Sequence, residues 1–137
     1  MKWFLIPIDP LNVRSSTWPH IDPISPQTLK LSPTRAYTFQ YSEAYTQAAW
    51  VLYRITAEQL QASVNRTDDF RRDRAVTTGS ATLADYRRSG YDRGHLAPAA
   101  AMAWLQEVMS DSFYLSNMSP QDPLMPDYGP QCVYPFL

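Results

Sequence analysis

The stretch GYDRGHLAPAAAM, from Gly90 to Met102, holds the residues of this chain best suited to chemistry. It contains His95, one of only two histidines, directly after an arginine and a glycine. Histidine can take up a proton near neutral pH, and the guanidinium of Arg93 is a planar donor that matches phosphate oxygens. Gly94 lets the backbone turn sharply or approach a ligand, which would present His95 rather than pack it. The stretch therefore predicts proton transfer beside a bound phosphate.

A second stretch, SNMSPQ from Ser116 to Gln121, bears on this interpretation. His95 lies three residues after Asp92. A histidine close to an aspartate is not diagnostic alone, because a hydrogen-bonded structural histidine is the more frequent case. Asn117 and Gln121 offer neutral oxygen atoms or hydrogen bonds of the kind that a hard cation such as Mg²⁺ accepts. A histidine base, an arginine and amide oxygens together indicate metal-assisted attack by water on a phosphodiester.

The basic residues are unevenly distributed along the chain. Seven of the 12 lie between Arg66 and Arg93, and none follows Arg93. A positive segment that leads into the histidine suits a phosphate-binding site. Five aspartates are interleaved with these arginines, however, so charge alone favours a solvated face. The net charge of −1 indicates no particular partner.

The composition is that of a single folded domain, with 137 residues of which 45% are hydrophobic and 18% charged. No apolar run approaches the length of a membrane helix, so no membrane association is predicted. Cys132 is the only cysteine, which excludes a disulfide framework within the chain. The N-terminal MKWFLIPI begins like a signal peptide, but Pro7 and Asp9 interrupt it. A secreted or periplasmic location stays open, and the compartment is not predicted.

The elements that must position these residues are predicted to form an α+β fold with a mostly antiparallel sheet. Residues 7–33 contain six of the 12 prolines, so residues 1–33 are predicted to be an extended, unpacked leader. AYTFQYS and AAWVLYRI predict two strands joined by a hairpin connection. Thr56 and Gln59 fit a capping box. MAWLQEVMSDS predicts a helix that ends near Ser110, and FYLSN predicts a short strand.

DRGH followed by SNMSPQ, across a helix and a short strand, resembles the DNA/RNA non-specific endonucleases, which are built on a ββα-metal (His-Me) finger. The resemblance extends upstream to YTFQYSEAYTQAAWVLYRIT, NRTDDFRRD and ADYRRSGYDRGHLAPAA, and covers roughly Thr34 to Gln121. It implies that residues 34–123 are the N-terminal part of an endonuclease domain. It also implies hydrolysis of DNA and RNA phosphodiesters with Mg²⁺ or Mn²⁺ and little sequence preference, and raises a homodimer as the oligomeric state.

The resemblance assigns roles to the residues of the two motifs. His95 matches the general base that activates the attacking water, and Arg93 matches a phosphate contact. Asp92 is expected to hold the loop rather than to do chemistry. Asn117 matches an asparagine that supports the site without binding the metal directly.

The resemblance also bears on the basic segment upstream. Arg66, in RTDDF, resembles the arginine that stabilises charge on the phosphate in the transition state. A surface ion pair with Asp68 or Asp69 is the alternative for this arginine. Arg71 and Arg72 are expected to contribute only salt-sensitive affinity. Three aromatic residues are predicted to lie in the core rather than to stack on bases: Trp104, Phe113 and Tyr114.

After Pro123 the sequence departs from the family's pattern. In the family, NMSPQ leads into a helix with a second asparagine, the direct Mg²⁺ ligand, followed by a tryptophan and a glutamate. Residues 124–137 read LMPDYGPQCVYPFL, without an asparagine and with prolines that oppose a helix interior. These residues are therefore predicted to be an aberrant tail, with the final helix of the finger missing and the metal ligand unidentified. A shifted reading frame at Met125 permits Asn-Ala-Gly-Leu-Trp, which favours truncation by frameshift.

This departure leaves three possibilities open. The chain is a weakly active or inactive member of the endonuclease family, a catalytically dead remnant that still binds nucleic acid, or a fragment without function because it cannot close its core. Without the final helix, apolar surface around Leu115 and Met118 is expected to be exposed.

Overall fold

In the computed structural model, which describes residues 2–7, 29–32, 34, 36–61 and 63–124, a four-stranded antiparallel sheet forms one layer. Its order is β1-β4-β3-β2. The strands are β1 (Lys2–Pro7), β2 (Leu29–Leu31), β3 (Tyr37–Ser42) and β4 (Gln47–Ile55). The hairpin predicted from AYTFQYS and AAWVLYRI is confirmed as β3 and β4, which pair from Tyr37↔Tyr53 to Ser42↔Gln47.

Two strands of this sheet come from the segment that was predicted to be an unpacked leader. β1 pairs with β4 from Lys2↔Ile55 to Pro7↔Trp50, and β2 pairs with β3. Both are edge strands, and an edge strand tolerates a proline because one of its two sides needs no hydrogen-bond donor. The one proline within these two strands, Pro7 at the end of β1, is therefore compatible with pairing. Residues 8–28, with four of the six prolines, lie outside the described part of the chain.

The core lies between the sheet and the chain that follows the DRGH motif. β3 alternates buried and half-buried residues, as its period of two predicts, and points Tyr37, Phe39 and Tyr41 inward. These rings belong to one buried cluster with β4 and with residues 96–108. The segment after His95 is consequently fixed by packing rather than held as a free loop.

Between residues 63 and 124, the described part of the second half of the chain, all elements are short. They are α1 (Leu83–Tyr86), β5 (Asp92–His95), a 3₁₀ turn (Ala99–Met102), α2 (Gln106–Asp111), a second 3₁₀ turn (Leu115–Asn117) and β6 (Met118–Gln121). Among the described residues, no helix has the length and apolar character needed to cross a bilayer. Asp92↔Gln121 and His95↔Met118 mark the ends of an antiparallel pair, so both motifs lie on neighbouring strands.

Two of the local predictions need correction. The helix predicted over MAWLQEVMSDS is broken, because the carbonyl of Ala103 accepts the N–H groups of Ser63 and Val64 instead of an intrahelical bond. The strand predicted for FYLSN is wrong: Tyr114 makes one isolated bridge to Arg71, and the chain then closes into a 3₁₀ turn. The capping box is confirmed, since the Thr56 N–H donates to the side chain of Gln59 at 2.9 Å and the reciprocal bond is 3.4 Å.

Leu115 and Met118 are buried, contrary to the expected exposure. Their exposed fractions are 1% and 0%. The 3₁₀ turn and β6, which contain these two residues, both pack against β4. The predicted aberrant tail, residues 124–137, and with it the predicted absence of the final helix, lies outside the described residues except for Leu124.

Arg71 ties the polar segment NRTDDFRRD to the chain before β6. Its N–H donates to the carbonyl of Phe113, and its carbonyl accepts from Leu115. Its guanidinium lies 3.9 Å from the centre of the Tyr114 ring and donates to the Ser110 carbonyl at 2.7 Å. It also forms an ion pair with Asp69 at 2.7 Å. Arg71 is thus a structural residue, and the expectation that it contributes only general positive charge is wrong.

Replacing Arg71 with alanine should destabilise the fold. The variant loses a charge-assisted hydrogen bond, an ion pair and the stacked ring, which we expect to lower the free energy of unfolding by about 1–2 kcal/mol. Arg72→Ala is the matched control, because its exposed guanidinium lies over Gly79 and forms no ion pair within the described part of the chain. Urea denaturation of both variants measures the difference, and equal stability would contradict the structural role.

Candidate active site

Gly94 lets β5 and β6 approach each other closely. A Cβ atom at this position would lie 2.8 Å from Oε1 of Gln121 and 3.2 Å from the Ser119 carbonyl oxygen. The missing side chain therefore serves the pairing of the two strands. The sequence had suggested that Gly94 makes room for a ligand, whereas the atoms that occupy this room belong to β6.

His95 ends β5 with its ring against two phenylalanines. The ring centres of His95 and Phe113 are 4.9 Å apart and nearly perpendicular, and Phe70 lies 5.9 Å away. Nε2 of His95 is buried and has no hydrogen-bond partner among the described residues. A buried polar atom without a partner is costly, and such atoms occur where a site holds a group ready for function.

The environment of His95 favours its neutral form. Burial, the largest cause, lowers the pKa of His95 from 6.5 to about 4. The positive charges of Arg66 and Arg93 act in the same direction, and the carboxylate of Asp68 opposes them. The imidazole is therefore unprotonated at neutral pH, which is the form that a general base requires.

The two arginines that the sequence singled out lie over the same aromatic pair. The guanidinium carbon of Arg66 is 4.8 Å from the ring centre of Phe113, and that of Arg93 is 3.9 Å from the ring centre of Phe70. Phe113 and Phe70 themselves meet edge to face at 4.8 Å. The aromatic pair therefore brings both guanidinium groups to the imidazole of His95.

Arg66 also forms the ion pair that had been considered as its alternative role. Its Nε lies 2.6 Å from Oδ1 of Asp68, and both side chains are more than half exposed. An exposed pair of this kind contributes little to stability. The pair and the proximity to His95 coexist, so the two interpretations of Arg66 are compatible.

Asn117 lies behind the site, fully buried. Its Oδ1 accepts the N–H of Ala97 at 2.9 Å, and its Nδ2 donates to the carbonyls of Ala97 and Ser112 at 3.0 and 2.9 Å. With its oxygen and both amide hydrogens engaged, the side chain connects the end of β5 to the end of α2. This geometry suits the supporting role expected for Asn117 and leaves its oxygen unsuited to hold a metal ion.

The described residues do not by themselves fit a divalent metal. Across them, no group of three or more histidine, cysteine, aspartate or glutamate side chains could hold an ion. The side-chain amide of Asn117 is engaged in hydrogen bonds with the backbone. Gln121 packs against Gly94.

Sequence reasoning missed Phe70 and placed Phe113 only in the core. Phe113 is indeed fully buried, but its ring also orients His95 and Arg66. Phe70 had a sequence signal, since it is the only apolar residue between Asn65 and Asp73. A single aromatic residue in so polar a segment has few reasons to be there other than a specific contact. Trp104 packs against the main core, and Tyr114 lies under Arg71.

Comparison with known proteins identifies the family to which this fold and site belong. The model of the DNA/RNA non-specific endonuclease family matches residues 24–125. The chain therefore belongs to that family, whose members are hydrolases that act on nucleic acids. The resemblance based on DRGH and SNMSPQ is confirmed.

Individual relatives agree with this assignment. Human mitochondrial endonuclease G is 43% identical over 100 residues, which are 72% of this chain and 34% of that protein. The mitochondrial nuclease of Saccharomyces cerevisiae is 49% identical over 75 residues, or 53% of this chain and 23% of that protein. A chain in the crystal structure of an EndoG/EndoGI complex aligns with a TM-score of 0.60 at 33% identity, covering 68% of this chain and 39% of that one. This chain spans about a third of the length of such relatives.

The burial of His95 predicts a pH-dependent stability. Because its pKa falls from 6.5 in the unfolded chain to about 4 in the folded one, the unfolded state binds more protons between these values. Stability is therefore lost as the pH falls from 7 towards 4, by roughly 2 kcal/mol at pH 5. His95→Gln, which has no proton to gain, should lack this component. Urea denaturation at pH 5 and pH 7 compares the two proteins, and an equal pH dependence in both would contradict the buried neutral imidazole.

Proposed function

We propose that this chain holds the proton-transferring and phosphate-binding half of a non-specific endonuclease site. The observation that supports this most strongly is the convergence of His95, Arg66 and Arg93 on the Phe70–Phe113 pair. One candidate base with two guanidinium groups beside it suits an anionic substrate that is attacked by water. Membership of the endonuclease family agrees with this chemistry.

In this proposal the arginines bind and orient the phosphodiester. Arg66 and Arg93 donate hydrogen bonds to its non-bridging oxygens and stabilise the charge that develops there during attack. The bound anion offsets the two positive charges that now disfavour protonation of the imidazole. The pKa of His95 should therefore rise when substrate binds, so that His95 becomes a stronger base where one is needed.

His95 then takes a proton from the attacking water. The water oxygen forms the new bond to phosphorus, and one water proton moves to the imidazole. The bond to one ester oxygen breaks with its electron pair on that oxygen, which takes up a proton from solvent. The two phenylalanines keep the ring in its position and exclude bulk water from one side of it. Asn117 acts at a distance, because it holds the backbone that follows His95.

A divalent cation, Mg²⁺ or Mn²⁺, completes such a site in our proposal. When bound, it would neutralise charge on the phosphate and on the leaving oxygen. No group of three or more histidine, cysteine, aspartate or glutamate side chains is placed to hold an ion in the described residues, and the family resemblance would put a ligand after Gln121. The proposed ββα-metal finger would comprise β5 and β6, and its final helix is the part predicted to be missing from this chain.

The proposed substrates are DNA and RNA without sequence preference. The cationic groups assembled at His95 recognise phosphate, and phosphate contacts carry no direct information on base sequence. Binding without cleavage is the second candidate function. It is favoured by one observation, namely that the arginines are in place while no metal ligand set is found in the described residues.

Substitution of His95 should separate catalysis from binding. His95→Gln is expected to lower plasmid nicking with Mg²⁺ or Mn²⁺ at least about 100-fold, because a positioned base is removed, while oligonucleotide affinity stays nearly constant. Arg66→Ala and Arg93→Ala should reduce turnover more than binding, and Arg72→Ala should affect neither strongly. Undiminished nicking by His95→Gln would exclude the assigned base. Identical behaviour of the three arginine variants would reduce the basic segment to a general electrostatic surface.

The sequence after Pro123 should limit the rate. We expect the 137-residue chain to nick plasmid slowly, and a variant that continues from Pro123 into an Asn-Ala-Gly-Leu-Trp helix to nick faster and to bind Mn²⁺. The same variant with alanine in place of the introduced asparagine is the control. Electron paramagnetic resonance measures Mn²⁺ binding independently of cleavage. If the unmodified chain, free of host nucleases, already binds Mn²⁺ and cleaves at an enzymatic rate, the ligand lies elsewhere in the chain.

A further inference from the structure

A cleft of about 260 Å³ is lined in part by Pro120 of β6 and by Tyr91, the residue before β5. Its walls come from the turn between β3 and β4, from α1 and the loop that follows it, and from β6. Three tyrosines line it: Tyr45, Tyr86 and Tyr91. Tyr45 and Tyr91 are 55% and 54% exposed. Two rings open to solvent at one cleft provide flat apolar surface that the fold itself does not cover.

The cleft adjoins the residues proposed to bind phosphate. Pro120 lines it and pairs across the two strands with Arg93. Arg93 is also near enough to Tyr86 for its positive charge to oppose the rise in the pKa of Tyr86, which burial raises to about 12. Tyr91 directly precedes β5 and is four residues from His95, or about 13 Å along an extended chain.

The loop at the rim of the cleft carries positive charge, whereas the wall includes an acidic residue. Arg87 and Arg88 lie in the loop between two lining residues, and neither forms an ion pair within the part of the chain that the structure describes. Arg88 has a φ of 60°, a left-handed conformation that few side chains adopt. Ser89 holds this loop, since its hydroxyl donates to the Tyr86 carbonyl at 2.9 Å and accepts the Tyr91 N–H at 3.1 Å. The lining, by contrast, includes Asp85, whose Oδ2 accepts hydrogen bonds from the N–H and the hydroxyl of Thr82 at 2.7 and 2.8 Å.

We infer that this cleft is a subsite for one unpaired nucleobase of the strand whose phosphate lies at Arg66 and Arg93. This inference rests on the proposed function. The base stacks on the exposed rings of Tyr45 and Tyr91, and the arginines of the rim meet the adjacent phosphates. Aromatic stacking of this kind accepts any base, because every base has a flat face.

Size and charge argue for a base rather than another part of the nucleic acid. A volume of about 260 Å³ is below the range of about 300–1,000 Å³ for drug-sized ligands, so the cleft has room for one ring system. A phosphate in the cleft would meet Asp85, which repels it, whereas base N–H groups can donate to that carboxylate. A base within a duplex is already stacked and paired, so the subsite favours single-stranded nucleic acid.

The test compares strands with and without bases. Fluorescence anisotropy would measure the Kd of a short oligothymidylate and of an abasic strand of equal length, using His95→Gln so that neither is cleaved. The double variant Tyr45→Leu/Tyr91→Leu should weaken oligothymidylate binding about tenfold or more, and abasic binding less than about twofold. Tyr45→Phe/Tyr91→Phe is the matched control and should keep the affinity, because the rings remain. Both positions are exposed, so the variants should fold, and circular dichroism verifies this.

The outcomes distinguish this inference from the proposed function. Equal Kd values for the two strands, or an equal loss for both strands in the leucine variant, would overturn the base subsite while leaving the phosphate site intact. A loss in the phenylalanine variant as large as in the leucine variant would also overturn it. If neither strand binds to the protein at all, the proposed function itself fails.

Discussion

The hydrogen bonds of Asn117 hold together the segments on which the candidate active site depends. Its side chain is fully buried and bonds to both backbone groups of Ala97 and to the carbonyl of Ser112. The carbonyl of Asn117 itself accepts from Leu96. The position of His95 is therefore set by an amide 22 residues further along the chain. In a buried environment an unsatisfied amide is costly, so this arrangement has few alternatives of comparable energy.

The local sequence pattern was sufficient to predict those elements whose structure depends mainly on their own residues. The alternation in β3, the aromatic and branched residues of β4, and the Thr56–Gln59 cap all followed from rules of short range. The structures of FYLSN and of the leader segment depend on long-range contacts instead. Tyr114 is held by a bridge to Arg71, and β1 pairs with a strand almost fifty residues away. Residue type and spacing do not encode such partners.

The candidate site shows the same division. The motifs identified His95, Arg66, Arg93 and Asn117, and the structure brings the first three around one aromatic pair. The sequence did not reveal that neighbouring arginines differ in their contacts. Arg71 is committed to Tyr114, Asp69 and the Ser110 carbonyl, so the basic segment presents less free charge than its composition suggests. The two phenylalanines explain why the segment approaches the histidine at all.

Folding also depends on the contacts between residues 66–73 and the chain before β6. β3 and β4 are joined by a short turn and can pair early, at little entropic cost. The bonds from Ser110 to Asp69 and from Ser116 to Asp73 each close a loop of about forty residues. Such closures form late and open first, because contacts between distant residues restrict more of the chain. A partly opened molecule would thus keep its hairpin while the histidine and the arginines separate.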